Sequence, residues 1–184
     1  MSRTRRPPPA VPARGQNHAM PRELFRFDRA ASVADFAPID DRVMGGRSSS
    51  CLRHDPAGHA VFEGVVSLVD GGGFASVRSR PLPLGDPGAA TCRLEVRGDG
   101  RRYKINLRTD DGFDGVAYQA AFEPPSGEWT VLRLPLASFS PTRRGRPVDG
   151  TPELRPEGLR QLGLAIGDRQ AGAFALALRS IGLE

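Results

Sequence analysis

Short runs in which every second residue is apolar recur along this chain at intervals of about ten residues, and few folds accommodate that pattern. In 101–108, Tyr103, Ile105 and Leu107 alternate with Arg102, Lys104, Asn106 and Arg108. In 92–97, Cys92, Leu94 and Val96 alternate with Arg93, Glu95 and Arg97. The same period runs through 62–68, 116–122, 162–166 and 174–178, with weaker examples at 24–28, 49–54, 74–79 and 129–134. Side chains alternate across a strand, so each run offers one greasy face and one wet face. Between the runs stand turn sequences such as Asp55-Pro56-Ala57-Gly58, Gly98-Asp99-Gly100 and Pro124-Pro125-Ser126-Gly127. Brief strands joined by tight turns predict an all-β protein, an antiparallel β-sandwich, and argue against βαβ units. Alanine propensity alone would make 173–179 a helix, but Phe174, Leu176 and Leu178 alternate with alanines and predict a strand. Short helical turns are expected near 30–36 and 156–160. A long loop is expected over 140–155, with Arg143, Arg144 and Arg146 at its tip.

The length of 184 residues suits one domain, predicted over 21–184. A domain of that size buries roughly 70% of the surface its unfolded chain exposes and needs no staples. Residues 1–20 read either as a disordered basic tail or as an over-long start, with Met20 the true first residue. The net charge of +5 belongs mostly to that segment: Arg3, Arg5, Arg6 and Arg14 lie in it, leaving 22 basic against 21 acidic residues elsewhere. A nearly neutral body without a basic, aromatic-laced patch excludes nucleic acid as the expected partner. No run approaches the ~20 apolar residues of a membrane-spanning helix, so membrane insertion is excluded too. Cys51 and Cys92 are neither a disulfide framework nor a zinc site. They read as half-buried free thiols of a cytoplasmic protein, with a bridge between them left open.

The motifs of catalysis are missing. There is no nucleophile elbow, HExxH, Walker A or dinucleotide fingerprint. His54 and His59 bracket a turn and read as part of an exposed hairpin. Asp110-Asp111-Gly112-Phe113-Asp114-Gly115 opens like a calcium loop but has Gly112 at the third position and Ala121 at the twelfth. It is either a solvated turn or a calcium site of another geometry. The most unusual stretch is Asp40-Asp41-Arg42-Val43-Met44-Gly45-Gly46-Arg47-Ser48. Its carboxylates either fix the loop, by bonding backbone amides or an arginine such as Arg78, or face a ligand.

The run from Asp41 to Ser48 resembles the D-x-V-M-G-G-x-S signature of the complex I intermediate-associated protein 30 family. The resemblance continues through Phe62-Glu63-Gly64-Val65-Val66-Ser67, Gly72-Gly73-Phe74-Ala75-Ser76-Val77-Arg78, and the turn before Tyr103. It returns at Trp129, Leu134-Pro135-Leu136, Gly163-Leu164-Ala165-Ile166 and Gly172-Ala173-Phe174-Ala175-Leu176. It spans about residues 24–183 and is of bacterial type. One departure stands before the signature, where the family often carries an aromatic and this chain has Pro38 and Ile39, with Phe36 the nearest ring. The resemblance implies a galactose-binding-like jelly roll and a non-enzymatic, chaperone-like role in which a protein partner is captured. It implies no cofactor, no metal and no catalytic residue. The candidate binding or loop-fixing residues are Asp41, Arg42, Met44, Gly45, Gly46, Ser48, Gly72, Gly73, Phe74 and Arg78. Related jelly rolls bind carbohydrate, often with a structural calcium, so a sugar-binding module is the alternative. Its aromatic platforms would come from Trp129, Tyr103 or Tyr118, yet each stands in an alternating run, which predicts burial in the core instead. An unrecognised enzyme would require the Asp41 loop, Arg78 and the Asp110–Asp114 loop to converge on one cleft around a perturbed carboxylate.

Overall fold

The computed structural model describes residues 21–41 and 45–184. The 1–20 segment with His18, and the candidates Arg42 and Met44, lie outside the described residues. Thirteen strands form two sheets among the described residues. The first sheet has β3 (Ser49–Asp55), β4 (His59–Val66), β13 (Gly172–Leu183), β6 (Thr91–Arg97) and β9 (Trp129–Pro135) in that spatial order. In the same sheet β1 (Arg22–Arg26) pairs with β13. The second sheet runs β11 (Arg146–Pro147), β10 (Ser140–Arg143), β8 (Ala117–Phe122), β7 (Tyr103–Arg108), β12 (Gln161–Ile166), β5 (Ala75–Ser79) and β2 (Phe36–Pro38). Every strand pairing is antiparallel. The sheets close face to face as an antiparallel β-sandwich of the galactose-binding-like jelly-roll kind.

Alternation decides which residues meet between the sheets. Tyr103, Ile105 and Leu107 of β7 are fully buried, as are Cys92, Leu94 and Val96 of β6. Leu162, Leu164 and Ile166 of β12 join Phe62 of β4 and Phe174, Leu176 and Leu178 of β13 in one continuous core. Each such side chain contributes about 1.5–3 kcal/mol by leaving water. The expected helical turns are present as short 3-10 turns at Ala30–Val33 and Pro156–Gly158.

Four expectations need correction. The 140–155 segment is not a plain loop: β10 and β11 form a hairpin whose turn residues Arg144 and Gly145 both have positive φ, 50° and 74°. An arginine at the first turn position hides a turn usually signalled by Asn or Asp. The His54–His59 hairpin is not exposed throughout: His59 is buried, its ring edge-on to Trp129 at 5.4 Å. The thiols are not alike, since Cys51 is exposed and Cys92 fully buried. Both are free, and β4 and β13 stand between their strands, so no bridge joins them. Core burial is the expected fate of Tyr103, Tyr118 and Trp129; the two tyrosines are core residues, but Trp129 is not. Trp129 lies on the outer face of the first sheet between the guanidinium groups of Arg97 and Arg179, 5.1 and 4.2 Å from its ring.

Candidate functional site

Two adjacent carboxylates join the sheets at their edges. Asp41 is fully buried. Its Oδ1 accepts the Ser48 amide at 2.9 Å, and its Oδ2 accepts the Ser48 hydroxyl at 2.5 Å and the Gly73 and Phe74 amides at 2.8 and 3.3 Å. Asp40 does the same one step along. It accepts the Ser50 amide at 2.9 Å, the Ser50 hydroxyl at 2.6 Å and the Ser76 amide at 3.0 Å. Ser50 belongs to β3 at one edge of the first sheet, and Ser76 to β5 near one edge of the second. The Ser48 hydroxyl also accepts the Ser67 amide at 2.9 Å, which ties in the segment after β4.

The glycines around Asp41 follow from this packing. A Cβ at Gly46 would collide with the Asp41 carboxyl carbon. At Gly72 it would come within 2.7 Å of both Asp41 Oδ2 and Ser67 O. Gly45 and Gly73 take φ of +89° and +151°, where side chains are disfavoured. Burial raises the pKa of Asp41, but the bonds from Ser48, Gly73 and Phe74 outweigh it and hold the carboxyl below its ordinary value. Asp41 is therefore ionised, and its carboxylate is engaged by Ser48, Gly73 and Phe74.

The Gly73–Phe74 segment that Asp41 holds forms one wall of a cleft. Ile39, Gly73 and Phe74 line it, together with the outward side chains of the second sheet. The cleft measures about 620 Å³ and its floor is made by small residues, Gly163 and Ala165 of β12 and Ala117 of β8. Gln119 Nε2 donates a hydrogen bond to Asn106 Oδ1 between β8 and β7 at 2.8 Å. Phe113 stands over the far side, 61% exposed, with the Arg78 guanidinium carbon 4.8 Å from its ring centre.

Arg78 does not reach Asp40 or Asp41. It points the other way, into the cleft, and donates from Nη1 to Phe113 O at 3.0 Å. The three carboxylates of 110–114 face different partners. Asp111 pairs with Arg160 at 2.7 Å, Asp114 with Arg144 at 2.5 Å, and Asp110 accepts the Gly112 amide at 2.8 Å. They do not point to a common centre for a cation. Of the cleft's own two carboxylates, Asp114 is held below its ordinary pKa by Arg144, and Asp168 is paired with Lys104 at 2.6 Å.

Thus Gly73, Phe74, Arg78 and the 113–115 segment meet in one cleft. Asp41, Gly46, Ser48 and Gly72 stand behind its wall and hold it in place. Arg108, Phe113, Asn106 and Gln119 were not singled out from sequence. Asn106 and Arg108 share the outward phase of β7, which marks a wet face but not a cleft.

A sequence-family profile described as Complex I intermediate-associated protein 30 (CIA30) matches residues 25–178. A Schizosaccharomyces pombe protein described as uncharacterized protein C9E9.15 is 31% identical over 169 residues, 80% of this chain and 76% of its own length. Complex I intermediate-associated protein 30, mitochondrial, of Drosophila melanogaster is 24% identical over 160 residues, and that of Neurospora crassa 23% over 201. These cover 76% and 88% of this chain and 54% and 72% of the relatives, so the chain spans about half of the Drosophila protein. Among solved structures, the family 11 carbohydrate-binding module of the Clostridium thermocellum cellulase Lic26A-Cel5E superposes with a TM-score of 0.66 at 16% identity, over 91% of this chain and 95% of the module. A complex of that module family with a β-1,3-1,4-mixed-linked tetrasaccharide gives 0.62 at 17%, over 89% and 94%. At these identities the likeness is one of fold.

Proposed function

This chain belongs to the complex I intermediate-associated protein 30 family, and from that membership we propose that it is a non-catalytic, chaperone-like binding domain that captures a protein partner during assembly of respiratory complex I. The observation that carries the reading is the cleft on the outer face of the second sheet. It offers an exposed phenyl ring, an amide pair and guanidinium groups on a rigid floor, a surface suited to gripping a partner. Both of its carboxylates are engaged in ion pairs, and Asp41, Asp111 and Asp114 are all shifted downward, away from the range of a general acid or base at neutral pH. The relatives' names supply the class of partner, subunits of complex I. A cytoplasmic location belongs to the same proposal and is supported by the two free thiols. The fly and Neurospora relatives are described as mitochondrial, and cell fractionation separates the two locations.

The test is a tagged chain expressed in its own host, with native complexes resolved and their subunits identified by mass spectrometry. Complex I subunits should travel with the chain in a subassembly, and Gly163→Trp, which fills the floor of the cleft, should release them. Normal complex I levels in a deletion strain, with the chain migrating alone, would sink the reading. Carbohydrate is the second reading, favoured by a cleft that holds both the exposed Phe113 ring and the Asn106–Gln119 pair, groups suited to stacking and hydroxyl bonding. A saturable rise in melting temperature with β-glucan oligosaccharides, lost in Phe113→Ala, would move the assignment there.

A further inference from the structure

Two guanidinium groups in the cleft have no carboxylate partner among the described residues. Four basic residues, Arg78, Lys104, Arg108 and Arg144, line it against two acidic ones, Asp114 and Asp168. Lys104 and Arg144 are neutralised by Asp168 and Asp114. Arg78 and Arg108 are left over.

Arg108 is the more unusual. It shares the outward phase of β7 with Lys104 and Asn106. It is nevertheless only 7% exposed, because the segment after β7 folds back over it. Gln161 anchors that segment by donating to Asp110 O at 2.8 Å and Gly112 O at 3.3 Å. Arg108 donates from Nη2 to Gly115 O at 2.6 Å, while its Nε is buried without a hydrogen-bond partner among the described residues. Arg78 approaches from two strands away. It stands opposite Gly163, which in turn stands opposite Asn106, so no β12 side chain stands between Arg78 and Asn106, while Gln161, opposite Arg108, is turned to the covering segment. Its Nη1 reaches Phe113 O, in the same segment that covers Arg108.

Burial disfavours the charge on both groups, and Arg108 further disfavours it on Arg78. Asp110 and Asp114 favour the charges from a distance but do not contact them. Keeping the buried Arg108 charge in reach of a second, half-buried guanidinium is costly unless something neutralises them. Each guanidinium directs one N–H to a loop carbonyl and keeps its other donors, in a fork that matches carboxylate and phosphate oxygens.

We propose that Arg78 and Arg108 form an oxyanion site, which takes a carboxylate or phosphate group of a ligand whose apolar part rests on the Phe113 ring. The site goes beyond the assembly role proposed above and does not require it. An acidic group on a partner and a small phosphorylated or carboxylated molecule share the chemistry it recognises.

The purified full chain, titrated at constant ionic strength with inorganic phosphate or hexanoate, tests it. The readout is the set of arginine Nε–H signals in nitrogen-resolved NMR spectra. The Arg108 signal should move saturably with at least one probe while the exposed Arg47 and Arg133 signals do not. Saturation by phosphate alone identifies the phosphate class, and by hexanoate the carboxylate class. For the preferred probe, Arg78→Gln should weaken binding at least tenfold. Arg108→Gln should abolish it, and if that variant does not fold, Arg78→Gln decides alone, because the Arg78 side chain is not fully buried. A linear drift shared by all arginines, no saturation with either probe, or unchanged affinity in Arg78→Gln would each overturn the assignment.

Discussion

Asp41 concentrates more backbone donors than any other side chain in this part of the fold, and its removal has a definite cost. Asp41→Ala strands the buried Ser48 amide and the partly buried Gly73 amide, bonded at 2.9 and 2.8 Å, while the Ser48 hydroxyl keeps Ser67 O as an acceptor at 3.3 Å. An unsatisfied buried donor costs about 1–3 kcal/mol, so the variant should lose roughly 2–5 kcal/mol of unfolding free energy, read as a fall in the urea midpoint. Gly46→Ala should be comparably harmful, since its methyl enters the space of the Asp41 carboxyl. A loss below about 1 kcal/mol in Asp41→Ala, with partner capture abolished, would mean that the carboxylate serves a ligand rather than the loop. The signature residues were visible in sequence, but their role divides. Asp41, Gly46, Ser48 and Gly72 brace, while Phe74 and Arg78 face the cleft. Sequence could not separate the two groups, because which way a glycine-rich loop turns is decided by partners some thirty residues away, Gly73 and Phe74.

At the scale of elements, strands were legible where alternation stayed in phase and hidden where it broke. β13 was readable only over 174–178, because the register shifts between Leu178 and Ser180. Before the shift Phe174, Leu176 and Leu178 face the core, and after it Ile181 and Leu183 do. One extra residue moves the apolar set from even to odd positions. β2 has three residues and ends in Pro38, too few to show a period. The cleft was illegible for a related reason. Arg108 has the spacing of a surface residue, and only the returning 109–116 segment buries it. The β10–β11 hairpin was missed for want of a familiar turn sequence, and it makes its own prediction. Gly145 has φ of +74°, and a Cβ there would meet nothing within 4 Å. Gly145→Ala should therefore cost only the left-handed backbone penalty, about 1–2 kcal/mol, measured by thermal unfolding. The Arg144–Asp114 pair beside it is exposed and screened by water, so Asp114→Asn should leave the thermal midpoint close to that of the parent chain.

The whole molecule combines these local terms in its response to acid. His59 is held below its ordinary pKa, chiefly by burial, with Arg97 and Arg179 adding to it and Asp55 opposing. Its unfolded form thus binds a proton at a higher pH than its folded form, and stability falls as pH drops below about 6.5. The loss continues until pH passes the folded pKa, where it levels off. Asp41, Asp55, Asp111 and Asp114 are lowered as well. Each contributes stability that is complete above the ordinary carboxylate pKa of about 3.9 and is lost as pH falls through its folded value. Two descending steps should therefore appear in unfolding free energy against pH, a shallow one from His59 and a steeper one from the aspartates. Because one core unites both sheets, either step should destabilise the sandwich as a unit, with far- and near-ultraviolet circular dichroism changing together. His59→Gln should flatten the upper step and leave the lower one, whereas Asp41→Asn should reduce the lower one and leave the upper. An upper step of unchanged slope in His59→Gln would mean that the buried contact with Trp129 tolerates the charged ring.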